Sequence, residues 1–160
     1  MRGYARKFGG DEDRWAIAGL LHDFDYEEHP SLEEHPFVGA EILRSLGYPG
    51  DIVDAILGHS DHTGVARTTH MAKSLYAVDE LTGFIVACAL IRPSKSLMDL
   101  PVKSVTKKFK DKAFCRAIDR DHLRAAAEEI DVPLRDHVEN VLGALRGIAA
   151  ELGLEGDVAT

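Results

Sequence analysis

Apolar positions in this chain recur at three- and four-residue intervals almost from end to end, and strand-like alternation is absent. The acids of "DEDRWAIAGLLHD" suit a helix N-terminus, and the segment turns apolar nearly all round from Trp15 to Leu21. That pattern predicts a buried helix. Phe37, Val38, Ile42, Leu43 and Leu46 keep helical spacing up to a stop at Gly47. Pro49 then suits the first turn of a helix whose core stripe is Ile52, Val53, Ile56 and Leu57. A polar break, "GHSDHTGVARTTH", precedes a long helix from about Met71 to Ile91, which "RPSKS" ends. The basic segment "VKSVTKKFKDKAF" follows, then amphipathic helices near Asp119–Ile130 and Pro133–Leu152. The expectation is an all-α fold, a compact bundle of seven or eight helices forming a single domain over 1–155, with the tail 156–160 frayed.

Composition narrows the class. At 160 residues, 45% hydrophobic and 29% charged, the chain is long and apolar enough to bury a core unaided. No apolar run reaches the roughly 18 residues of a membrane span, and "MRGYARKFGG" lacks the apolar stretch of a signal peptide, so a cytoplasmic protein is expected. Cys88 and Cys115 lack the spacing of a metal or disulfide framework, and Cys88 reads as a small buried hydrophobe. A net charge of −8 argues against broad nucleic-acid binding as a function, because phosphate neutralisation drives that affinity.

Eight histidines are more than a core of this size requires, and their placement carries the chemistry. His22 and Asp23 close the second helix, His35 opens the third, His59 closes the fourth, and Asp79 lies inside the long apolar fifth. A buried carboxylate needs a partner or a metal. Imidazole with carboxylate suits transition metals, whereas calcium prefers oxygen alone. Taken singly, each residue has a plainer reading: a helix-end histidine as a cap or solvated group, and Asp79 in a salt bridge to Lys73, Arg92 or Lys95. His29, His70, His122 and His137 read as surface histidines, Asp25 and Glu27 as site neighbours or loop acids, and Lys103, Lys107, Lys108, Lys110 and Lys112 as a solvated face or an extended positive surface for phosphate.

Together, "GLLHDFDYE", "EEHPFVGAEILRSLGYP", "AILGHSDHTG" and "AVDELTGFIVACALIRPSKS" resemble the HD-domain superfamily of metal-dependent phosphohydrolases, in particular its small stand-alone HDIG-type members. The resemblance spans roughly residues 11–115. It implies that His22, Asp23 and Asp79 hold one metal, and that His35 and His59 hold a second with Asp23 bridging. It further implies one or two divalent ions (Mn, Fe, Ni, Zn or Mg) and hydrolysis of a small phosphoester, a nucleotide among the candidates, by metal-activated water. Asp23 and His62 are then the catalytic candidates, with Asp61 beside them, and Arg92, Ser94 and Lys95 the substrate-binding ones. Some members of the superfamily are oxygenases, and the ligand set alone admits that chemistry too. One departure stands out: the family pattern opens with a further histidine well upstream of the HD pair, and none of the 21 residues before His22 is a histidine. The expectation is an N-terminally shortened chain. The alternatives are a short form that works with fewer ligands, or borrows one from a partner in a homodimer, and a non-catalytic domain that serves as a metal- or ligand-binding regulatory module.

Overall fold

A computed structural model describes residues 1–156. Among them are eight α-helices, one 3-10 turn and no strand, so the fold is all-α as the periodicity requires. The chain forms two compact units, 1–76 and 77 onward, with the boundary inside the fifth helix.

The first unit contains α1 (Arg2–Phe8), α2 (Glu12–Leu21), α3 (Phe37–Ser45), α4 (Gly50–Gly58) and the 3-10 turn Asp61–Thr63, followed by the start of α5 (His70–Leu90). α1 stops at Gly9, whose φ of 70° gives a left-handed cap. Asp11 then starts α2, its carboxylate accepting from the backbone N–H groups of Asp13 and Arg14. α2 packs on α1 and α4, and α3 on α4. Trp15, Ala18, Ala40, Leu43, Ile52, Val53 and Ile56 are buried between them. Arg14 of α2 pairs with Asp51 at the first turn of α4. α2 is not the fully buried helix its composition predicts: only Trp15 and Ala18 are buried, and Leu20 is 80% exposed. The reason is that its neighbours α1 and α4 cover one face, so an apolar residue on the other face stays in solvent.

The second unit contains the rest of α5, then α6 (Val102–Lys108), α7 (Arg120–Glu129) and α8 (Leu134–Arg146). α6 and α7 pack on α8, over a core that includes Phe84, Ile85, Val105, Leu123, Ile130 and Leu142. α6 occupies the basic segment, whose lysines mask a short stripe: Val105 is buried in α6, and Phe109 just after it stacks edge-on against Phe84 at 4.9 Å. Cys88 is buried as expected, and burial pushes its thiol up to about 11. α8 ends at Arg146, short of Leu152, and turns carry the chain on to Leu154 and Glu155, which are tied down. The Leu97 N–H donates to Leu154 O at 2.8 Å, and Ser96 Oγ donates to Glu155 O at 2.5 Å. Burial of Leu154 explains the attachment. Residues 157–160 of the expected tail lie outside the described residues.

His137 corrects the reading of the C-terminal histidines as surface groups. It is fully buried on α8, beside Val138 and one turn before Val141, and its Nε2 donates to Ala77 O at 2.9 Å. Helical spacing places it on the core stripe, where that one bond satisfies its N–H. Burial holds its pKa below the ordinary 6.5, partly offset by the bond to Ala77. The folded state therefore keeps the ring neutral, while the unfolded chain takes up a proton as pH falls through about 6.5. Stability is predicted to be lost as pH falls below that value, by at most about 1.4 kcal/mol per pH unit from this residue. His137→Gln should flatten that slope in urea denaturation measured from pH 7.5 to 5.0; an unchanged slope would refute the assignment.

Candidate metal centre

The centre is built on helix ends. His22 is the C-terminal cap of α2, and its Nδ1 donates to Gly19 O at 2.9 Å. His59 is the C-terminal cap of α4, and its Nδ1 donates to Ile56 O at 2.5 Å. Both rings thus bond back to a carbonyl in the last turn of their own helix, and Ile56 O also accepts the His59 backbone N–H. A carbonyl only accepts, so each Nδ1 carries a proton and each ring turns its Nε2 the other way. His35, just before α3 and buried, is oriented by a carboxylate instead: its Nδ1 lies 2.8 Å from Asp25 Oδ1. Asp25 is itself buried, and its other oxygen accepts the Gly39 N–H at 2.8 Å.

The Nε2 atoms converge on Asp23. Its Oδ1 lies 3.3 Å from His35 Nε2 and 3.4 Å from His59 Nε2, and the two nitrogens are 3.3 Å apart. Its Oδ2 lies 3.3 Å from His22 Nε2. The two oxygens of one carboxylate therefore face different imidazoles, the disposition of a bridging ligand. The spacing fits a transition metal: tetrahedral ligands about 2.0–2.1 Å from an ion are separated by about 3.3–3.4 Å. The electrostatics agree. Two lone pairs and a carboxylate oxygen facing one another at this distance need a positive charge between them, either protons on the Nε2 atoms or a cation. A hydrogen bond from His59 holds the Asp23 carboxyl below its usual range, with the nearby imidazoles adding to the effect and partial burial opposing it. Asp23 is thus ionised and ready to serve as a ligand near neutral pH. Binding of a metal would replace the imidazole protons and release them.

A second network fixes the end of α4. Arg67 donates to Gly58 O at 3.0 Å and to Asp61 Oδ1 at 2.9 Å, and its guanidinium lies 3.6 Å over the Tyr76 ring. Tyr76 Oη donates to Asp61 Oδ2 at 2.9 Å, closing the loop behind His59. His62 stands outside the triangle: its Nε2 donates to His35 O at 2.9 Å, and its Nδ1 accepts from Ser60 Oγ at 2.8 Å. Tyr26 presents its ring edge-on to His35 at 5.1 Å. Asp79 sits half-buried on α5, in the second unit. In that unit Arg92 and Ser94 both turn to Asp99, with Arg92 Nη2 3.1 Å from Oδ2 and Ser94 Oγ 3.0 Å from Oδ1. Lys95 follows in a left-handed conformation, φ 46°. Asp25 takes the first of its two expected places, as a site neighbour, whereas Gly39, Arg67 and Tyr76 carry no local mark of a site, because they meet Asp25, Gly58 and Asp61 across 9 to 15 residues of chain.

Comparison with known proteins now has a geometry to be judged against. The HD domain family model matches residues 1–83, a span that contains His22, Asp23, His35, His59 and Asp79. The chain belongs to the HD domain family. Over 80 residues it is 35% identical to Ribonuclease Y of Oleidesulfovibrio alaskensis, an alignment that covers 49% of this chain and 15% of that protein. The HD-family chain thus spans a small part of its relative's length. No solved structure matches it. Among the described residues, no helix is long and apolar enough to cross a membrane.

The HD site makes one prediction about its support. A Cβ on Gly39 would fall 2.7 Å from Asp25 Cγ and Oδ2. Gly39→Ala must therefore displace the carboxylate that orients His35. Asp25→Asn leaves either His35 or the Gly39 N–H without an acceptor. Each variant should bind metal about 10–100-fold more weakly than wild type in competition with a chromophoric chelator. Wild-type affinity in both would show that Asp25 has no part in holding the site.

Proposed function

We propose that the protein is a metal-dependent phosphohydrolase acting on a small phosphoester, a phosphomono- or phosphodiester of nucleotide size. The observation that carries this reading is Asp23, whose two oxygens each face a different set of Nε2 atoms. Membership of the HD domain family supports it. His35, His59 and Asp23 would hold one divalent ion, and His22 and Asp23 would offer ligands to a second. A metal bound there supplies a water of lowered pKa and polarises a phosphoryl oxygen.

The chain's own residues do the positioning. Asp23 keeps both sets of ligands in register through one carboxylate. The carbonyls of Gly19 and Ile56 and the carboxylate of Asp25 hold the rings in the tautomer that ligates. His62 acts as a positioning residue through its bond to the His35 carbonyl, and direct proton transfer by its Nε2 would require that bond to break. Arg92, Ser94 and Lys95 are the candidate phosphate contacts; the first two would have to exchange Asp99 for substrate. The second reading, a metal- or ligand-binding regulatory module, is favoured by the pairing of Arg92 and Ser94 with Asp99, which already engages two of the candidate phosphate contacts.

The test is metal analysis after reconstitution with Mn, Fe, Ni, Zn or Mg, followed by assay on p-nitrophenyl esters and a nucleotide panel. The expected outcome is retained metal and turnover that drops at least about 100-fold in Asp23→Ala. Failure to retain any of these metals would sink the proposal. Retained metal and ligand-dependent thermal stabilisation without turnover would favour the regulatory module.

A further inference from the structure

The second unit carries a feature that the metal chemistry does not use. Between the end of α6 and the first turns of α7 lies a concave groove of about 630 Å³, a volume within the range of small-molecule sites. Five cations line it: Lys110, Lys112, Arg116, Arg120 and Arg124. Its two acids are already engaged. The Asp119 carboxylate caps α7 by accepting from the Asp121 and His122 N–H groups, and Asp121 pairs with Arg124 at 2.8 Å. Five positive and two negative side chains leave a local excess of three positive charges, in a chain whose net charge is −8.

Arg120 makes the groove more than a lysine-rich surface. Its guanidinium donates to the carbonyls of Cys115, Phe114 and Ile118, and lies 5.0 Å from the Phe84 ring centroid. These carbonyls orient the cation without neutralising it, so a fixed positive charge is built into the groove wall. They also fold the loop 111–118 that brings Lys112 and Arg116 to the same concavity. Lys110, Lys112 and Arg116 are exposed, able to close on a ligand in solvent.

We propose that this groove is a second ligand site, for a small polyphosphorylated anion: a phosphate chain, free or carried by a nucleoside. Clustered Arg and Lys suit adjacent phosphates, Arg as a fork and Lys as a point charge. The size of the cavity and the acidity of the rest of the chain favour a compact anion over a nucleic-acid strand, which needs a continuous basic track. The proposal is independent of the metal reading.

Isothermal titration of the full chain with tripolyphosphate, after removal of metal with a chelator, tests it. Binding is expected in wild type and in Asp23→Ala alike, weakening at least about tenfold in Lys112→Ala/Arg116→Ala, since charge-assisted hydrogen bonds are lost. Metal retention should be the same in that double variant as in wild type. A nucleoside triphosphate that binds more tightly than tripolyphosphate identifies a nucleoside-borne chain; equal affinity identifies the phosphate chain alone. The proposal is overturned if tripolyphosphate does not bind, or if sulfate at matched ionic strength binds as well. It is also overturned if the double variant binds undiminished, or if Asp23→Ala abolishes binding, which would place the anion at the metal centre. Single-stranded RNA that binds through the same residues where tripolyphosphate does not would replace it with a nucleic-acid surface.

Discussion

The first unit is organised around an electrostatic demand: three imidazoles turn their Nε2 atoms towards the carboxylate of Asp23, which lies partly in solvent. Lone pairs and an anion at such separations repel unless a proton or a metal lies among them. The fold holds them together by fixing the far side of each ring, with a helix-end carbonyl behind His22 and His59 and a buried carboxylate behind His35. Those outer bonds select the tautomer, and the tautomer sets the character of the site.

That arrangement explains features that otherwise look local. α2 and α4 each end where a histidine ring bonds back to a carbonyl three residues earlier, so helix termination and ligand orientation are one event. Gly39 is small because the Asp25 carboxylate lies against its Cα and takes its N–H. Asp25 is buried without cost in unmet hydrogen bonds because both of its oxygens are used. The Arg67–Asp61–Tyr76 network pins the residues that follow His59. The second unit uses polar burial differently: Arg120 gathers carbonyls to shape a loop, and His137 meets a backbone carbonyl inside the core.

Much of this was legible in the chain itself. The helices, the stop at Gly47, the start of α4 at Pro49 and the helix-end placement of His22 and His59 follow from spacing and from residues with local conformational preferences. The run of HD, HPxxGAxxL, a helix-end histidine and AxDxLxG sufficed to recognise the family. α6 was hidden because lysines outnumber its apolar positions. His137 and Leu20 were assigned to the wrong environments because periodicity tells which residues share a face, not whether that face is covered.

Helical period, capping and turn chemistry act over about four residues, so the sequence by itself determined the all-α class, the positions of most helix ends and the residue types available as ligands. Tertiary structure decided which ring nitrogen points inward, that Asp25 orients His35, that Arg67 and Tyr76 stand behind His59, and that five cations share one groove. Each of these depends on groups separated along the chain that meet only after the helices have packed, and no local preference records such a meeting.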